Sequence, residues 1–338
     1  MTKILVTGAT GFVASHLILA LLDKGYDVRG TARTADRAEA LNRTLSAFAG
    51  RPIAVEIVAA DLNSDAGWAE ACAGVTYVQH VASPFPPTQP ATADDLIGPA
   101  RDGTLRVLRA ARAAGAKRVI LTSSVAAVDT GWGAAAPAAY DESHWTQIEN
   151  PSSVSFYAQS KTLAERAAWD YVRGEGAGLE LTVINPVAVL GPAMSKDVST
   201  SLGMVIAPLR RSMPAYPKLH QGIVDVRDVA KAHVVAMERP EAAGERFIVC
   251  ADTLWFREVG AILRGAYPDR KIPRYELPTW MVRIMARSNP NLVPVLPNLS
   301  RRRCYNNRKA REMLGIDFIP AREALLASAE SAIGLGMV

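Results

Sequence analysis

The chain has 338 residues, 49% hydrophobic and 21% charged, with a formal net charge of +5. Its basic excess is mild and scattered apart from Arg301-Arg302-Arg303, and no aromatic stripe accompanies it, which argues against a nucleic-acid surface. Three far-separated cysteines, Cys72, Cys250 and Cys304, and five histidines without ligand-like spacing argue against a disulfide framework and a metal site, and fit a reducing compartment.

The apolar start of the chain is interrupted by Gly8 and Gly11 before it could act as a signal peptide, and residues 12–22 are too few to cross a bilayer. A cytoplasmic protein with no membrane segment is expected. Residues 3–7 read as a short strand, followed directly by Gly8-Ala9-Thr10-Gly11-Phe12-Val13-Ala14 and then by helical apolar spacing over 15–22. Strand, glycine turn and helix are the context of a dinucleotide-binding fingerprint: glycines let the backbone approach a pyrophosphate, which meets the free N–H groups and positive dipole of the helix start. Ala14 stands where the third glycine would be.

The two element types then alternate. Strands are predicted over 27–32, 54–60, 76–80 and 117–121, and helices over 35–48, 64–73 and 92–113, the last with Pro99 and Gly103 inside it. A sixth strand follows at 180–184, and a strand and helix at 223–226 and 227–237 look like a return to the large domain. This pattern predicts an α/β fold with a doubly wound parallel sheet and right-handed crossovers. Ligands on such sheets bind at the carboxyl ends of the strands, where Gly8, Asp61-Leu62, Val81-Ala82-Ser83 and Ser123-Ser124 fall. Residues 1–190 with 222–239 are therefore read as a dinucleotide-binding domain. The proline-dense remainder, 191–221 with 240–338, is read as a smaller, discontinuous α/β substrate domain closing over it.

The most informative stretch runs from Ser155 to Trp169. Its Ala, Leu, Glu, Arg and Gln content favours a helix, and Tyr157 and Lys161, four residues apart, then leave one face. An ammonium near a phenol is expected to favour the phenolate and so make Tyr157 a usable proton donor near neutral pH. The motif by itself is weak, because Tyr267/Lys271 and Tyr305/Lys309 repeat it. Only Tyr157 has a strand-end serine upstream, and Tyr305→Phe and Tyr267→Phe are expected to be nearly silent.

With the glycine turn, Asp61-Leu62, Ser123-Ser124 and Tyr157/Lys161 in this order, the chain resembles the extended short-chain dehydrogenase/reductases. His80-Val81-Ala82-Ser83-Pro84-Phe85, Tyr140-Asp141-Glu142-Ser143, the segment 185–192 and Val224-Asp225-Val226-Arg227-Asp228-Val229 make it most similar to the dihydroflavonol-reductase-like branch, nearest its microbial aldehyde and ketone reductases. The resemblance implies that Ser124, with Ser123 as its rival, hydrogen-bonds a substrate carbonyl. It implies that Tyr157 protonates the developing alkoxide and that Lys161 holds the nicotinamide ribose. It extends the cofactor site over Gly8, Thr10, Gly11, Phe12, Val13, Asp61, Leu62, Val81, Ala82, Ser83, Pro186 and Val187. Phe85, Val125, Trp132 and Met194 are candidate walls of an apolar substrate pocket, although Trp132 and Met194 could equally pack between domains.

Two departures bear on substrate. Asp129 stands five residues after Ser124, where dihydroflavonol reductases carry an asparagine, and Val154-Ser155-Phe156-Tyr157-Ala158-Gln159-Ser160-Lys161 differs from the Asn-Trp-Tyr-Cys-Tyr-Gly-Lys stretch of cinnamoyl-CoA reductases. Both point to a small carbonyl substrate. NADP(H) is the expected cofactor: the second strand ends Val28-Arg29-Gly30-Thr31-Ala32-Arg33 with no acid at its tip, and Arg33 and Arg37 could meet a ribose 2′-phosphate. Two other functions share parts of this pattern, a nucleotide-sugar epimerase or dehydratase and a non-catalytic dinucleotide sensor. The oligomeric state is open, a homodimer being one arrangement.

Overall fold

A computed structural model describes residues 2–83, 92–149, 154–196, 200–288 and 290–338. The amino-terminal half alternates β1 (Lys3–Val6), α1 (Phe12–Asp23), β2 (Asp27–Ala32), α2 (Arg37–Ala49), β3 (Glu56–Ala59), α3 (Trp68–Cys72), β4 (Tyr77–His80), α4 (Asp94–Ala113) and β5 (Arg118–Thr122). Next come α5 (Phe156–Arg173), β6 (Glu180–Pro186), β7 (Ala188–Leu190), α6 (Gly203–Arg210), β8 (Tyr216–Pro217), β9 (His220–Asp225), α7 (Val226–Glu238) and β10 (Arg246–Val249). The chain ends with β11 (Asp252–Trp255), α8 (Phe256–Ala266), β12 (Glu276–Leu277), α9 (Thr279–Met285), α10 (Arg308–Leu314) and α11 (Ala321–Gly334).

Seven strands form one sheet in the order β3-β2-β1-β4-β5-β6-β10, every neighbouring pair parallel. Because side chains alternate along a strand, β1 feeds both faces. Ile4 and Val6 join the core under α1 and α7, whereas Leu5 joins the core under α4 and α5. Both faces of the sheet are buried, as a parallel sheet requires. A separate three-stranded sheet, β11-β9-β7, is backed by Leu190, Val205, Ile223, Val259, Leu263 and Leu325.

Two boundaries depart from the sequence reading. Residues 246–249, placed with the substrate domain, are the edge strand of the large sheet, where Phe247 pairs with Ile184. The strand expected to return to the large domain, β9, instead pairs with β7 and β11, and only the helix after it, α7, packs against α1. Short apolar strands look alike in sequence; which sheet takes them depends on partners distant along the chain. No helix among the described residues is long and apolar enough to cross a membrane.

Candidate active site

The strand order reverses direction between β1 and β4, and the crevice at such a reversal is where a doubly wound sheet takes its ligand. Gly8 leaves β1 here with φ +64°, in the left-handed region, and a Cβ on it would lie 3.0 Å from Ala82 Cα. Thr7 fastens the opposite wall, its Oγ1 accepting from the N–H groups of Val81 at 3.1 Å and Ala82 at 3.0 Å and lying 2.9 Å from His80 Nδ1. The glycine turn and the segment after β4, far apart in sequence, thus form one narrow cradle.

Gly11 N-caps α1 without a side-chain hydrogen bond, so no side chain competes with a ligand for the first-turn N–H groups. Thr10, Phe12 and Val13 are half-buried around that turn. Asp61 and Leu62 follow β3, where Asp61 Oδ1 accepts from Asn63 N at 2.8 Å, and Ser83 is exposed beyond β4. Pro186 ends β6 and Val187 is buried after it. Arg33, just past β2, and Arg37, the first residue of α2, are exposed, and neither guanidinium has an ion pair or hydrogen bond among the described residues. A cradle that a methyl group would fill, an uncapped helix start and two unpaired guanidiniums at the strand carboxyl ends fit a phosphorylated dinucleotide.

The candidate reacting groups lie at the ends of β5 and α5. Ser155 starts α5 by accepting from Ala158 N at 3.2 Å, and the buried positions 158, 161, 162, 165, 168 and 169 recur at helical spacing on the face turned to α4 and the sheet. Tyr157 and Lys161 share this helix, as the spacing predicted. Tyr267 instead caps the end of α8, and Tyr305 precedes α10, so neither of the repeated motifs shares a helix with its lysine.

The two serines separate clearly. Ser124 is half-buried, accepts from Ala126 N at 3.1 Å and hydrogen-bonds the Tyr157 side chain. Ser123 is buried and donates to Glu165 Oε2 at 2.5 Å. Lys161 is buried and its ammonium donates to Thr122 O at 3.4 Å. The expectation about Tyr157 acidity needs correction. Burial pushes its phenol up, against a smaller lowering from the Ser124 hydrogen bond. The lysine is itself pulled down to about 8 by burial, which Glu165 opposes.

Of the candidate pocket residues, Val125 is buried directly after Ser124, while Trp132 and Met194 are half-buried and pack on the core under α1 and α7. Trp132 Nε1 donates to Val128 O at 3.0 Å. Phe85 lies outside the described residues. A depression of about 770 Å³ lined by Glu142, Trp145, Trp169 and Arg246 includes none of Ser124, Tyr157 and Lys161.

Asp129 has partners the sequence did not reveal. Its Oδ2 accepts from Tyr305 at 2.6 Å and from Arg303 Nη1 at 2.9 Å, which ties the segment before α10 to the loop after Ser124. Burial and the Asp129 charge push the Tyr305 phenol well above its ordinary range. Tyr305→Phe, expected to leave turnover nearly untouched, therefore has a consequence for stability. It should lower stability by about 1.5–3 kcal/mol, the scale of one hydrogen bond to a charged group. A denaturation midpoint equal to that of the wild-type protein would contradict this.

With this geometry in place, comparison with known proteins identifies the lineage. The NAD dependent epimerase/dehydratase family matches residues 4–250. The chain belongs to this family, the extended short-chain dehydrogenase/reductases. It is 33% identical to cinnamoyl-CoA reductase 1 of Arabidopsis thaliana, covering 96% of this chain and 88% of that protein. It is 32% identical to a putative NADPH-dependent methylglyoxal reductase of Candida albicans, covering 98% of this chain and 99% of that one. The crystal structure of yeast methylglyoxal/isovaleraldehyde reductase Gre2 complexed with NADPH superposes with a TM-score of 0.80 at 28% identity, covering 100% of both chains. Glu165 and Asn185, which the sequence analysis did not single out, hydrogen-bond to Ser123 and to the Ser124 carbonyl behind these groups; the four-residue step from Lys161 to Glu165 was the available signal.

Proposed function

We propose that the protein is an NADPH-dependent carbonyl reductase acting on small aldehydes and ketones with an apolar substituent. The observation that carries this reading is Tyr157 hydrogen-bonded to Ser124 and sharing one helix with Lys161, beside a cradle suited to a dinucleotide. The cofactor supplies a hydride; the protein supplies position, charge and a proton. Ser124 and Tyr157 offer two hydroxyls to one carbonyl oxygen, which polarises it and leaves its carbon open to attack. The raised phenol keeps its proton at neutral pH, so Tyr157 donates only as the oxygen becomes an alkoxide, a much stronger base than a carbonyl. Lys161, buried beneath, places a positive charge where negative charge develops.

The substrate class rests on the family's reductase members and on Asp129. In place of an asparagine free to meet a flavonoid ring, Asp129 is an acid held by Arg303 and Tyr305. The residues around Tyr157 differ from those of cinnamoyl-CoA reductases, although relatives of that name are as similar overall as the methylglyoxal reductase. The test is NADPH oxidation measured against aldehydes, α- and β-diketones, ketoesters, dihydroquercetin and cinnamoyl-CoA. Small apolar aldehydes or ketones should give the highest kcat/KM. Equal or better efficiency with dihydroquercetin or the thioester would overturn the substrate assignment.

A further inference from the structure

Behind the proposed reacting groups lies a fully buried acid, Glu165, that takes no part in hydride or proton transfer. Glu165 follows Lys161 by four residues on α5, and its carboxylate joins the ends of three strands. Beyond β5, Ser123 donates to Oε2 at 2.5 Å; from β6, Asn185 Nδ2 donates to the same oxygen at 2.8 Å; from β10, Arg246 Nε lies 2.8 Å from Oε1. Trp169 Nε1 approaches Oε1 at 3.4 Å. Asn185 Nδ2 also donates to Ser124 O at 3.2 Å, so the carboxylate reaches the backbone of the serine that meets Tyr157 through a single side chain. Arg246 is fixed in turn by the carbonyls of Glu142 at 3.2 Å and His144 at 3.0 Å, and stacks on Trp145 at 3.9 Å.

A buried ion pair is seldom more stable than well-packed apolar side chains of the same volume, so fold stability alone is a poor reason for this one. Its location offers a better one. We propose that Glu165 is a positioning residue for the carbonyl-reduction site: through Asn185 it sets the Ser124 backbone, and its negative charge supports the Lys161 ammonium from below. The inference rests on the reading of Tyr157 and Lys161 given above.

The surroundings of Lys161 make the charge effect separable. On α5 Glu165 acts on it, with Tyr157 one turn earlier on the same helix; it meets Thr122 O of β5 and acts on His80 of β4. His233 of α7 reaches the other side of Thr122, its Nε2 lying 2.9 Å from Oγ1. Burial holds both histidines down at about 3, so they are neutral at working pH. Glu165 is then the negative charge opposing the burial that pulls Lys161 down to about 8.

The experiment is the pH dependence of kcat with saturating NADPH and the best carbonyl substrate. In the wild-type enzyme, turnover should fall on the alkaline side as Lys161 loses its proton. Glu165→Gln should move that limb to lower pH by about one unit, the lower end of what an opposite charge a few ångström away contributes. Arg246 is left unpaired in that variant, so the double variant Glu165→Gln/Arg246→Gln, which removes both buried charges, protects the test against misfolding. It should show a smaller displacement in the same direction, because the Arg246 cation removed with Glu165 acts on Lys161 with the opposite sign and is held farther off by Glu165 and Trp145. An alkaline limb that coincides with wild type in a folded variant overturns the inference. Tyr157→Phe distinguishes this from failure of the underlying site. If that variant is inactive while Glu165→Gln keeps the wild-type profile, only the positioning role falls; if it is fully active, the site assignment falls.

Discussion

Tyr157→Phe should reduce kcat by about two to four orders of magnitude, the contribution of a positioned general acid, while NADPH binding stays close to wild type. The substitution removes one hydroxyl and little else. The ring stays on a helix whose buried face is made by other residues, among them Ala158, Lys161, Ala164 and Ala168, and Ser124 keeps its bond to Ala126 N at 3.1 Å. What disappears is the proton that would neutralise the developing alkoxide, together with one of the two donors that polarise the carbonyl. Turnover by NADPH oxidation and cofactor affinity by fluorescence titration, measured on the same preparation, separate chemistry from binding. Near-wild-type turnover would remove Tyr157 from the mechanism. Tyr267→Phe is the comparator: that residue ends α8 away from the site and should leave both quantities unchanged.

Arg33→Ala should lower kcat/KM with NADPH by about ten- to a hundredfold, the equivalent of one charge-assisted hydrogen bond of about 1.5–3 kcal/mol, and leave NADH nearly untouched. Arg33 is exposed just past β2, so removing its side chain breaks no ion pair or hydrogen bond among the described residues. A ribose 2′-phosphate carries about −1.5 to −2 charges, which a guanidinium meets with paired hydrogen bonds. Arg37, at the start of α2, is the reserve cation and explains why the loss should be finite. An equal loss with both cofactors, or a wild-type preference for NADH, would overturn the assignment.

Much of the frame was legible because its signals are local. The glycine turn between a strand and a helix, the alternation of element types and the four-residue step from Tyr157 to Lys161 depend on neighbours along the chain, and β1, α1, β2, β4 and α5 appear where such patterns place them. The same locality explains the misplaced pieces. Residues 246–249 and 220–225 are short apolar strands with nothing in their composition to say which sheet takes them. Arg303 and Tyr305 lie more than a hundred residues from Asp129, so the sequence showed an altered substrate position where the structure shows a tether.

By itself, then, the sequence determined the parallel α/β architecture, the glycine turn between β1 and α1 and the placing of Tyr157 and Lys161 on one helix, because helix and strand periodicities dictate which side chains share a face. Tertiary structure decided which serine faces the phenol, since Ser123 and Ser124 are adjacent and alike in sequence but meet different partners: buried Glu165 for one, half-buried Tyr157 for the other. It also decided the acidity of Tyr157 and Lys161. A charge interaction inferred from spacing gives only one influence on a proton, whereas burial, set by every element packed around the site, raises the Tyr157 phenol and lowers the Lys161 ammonium here.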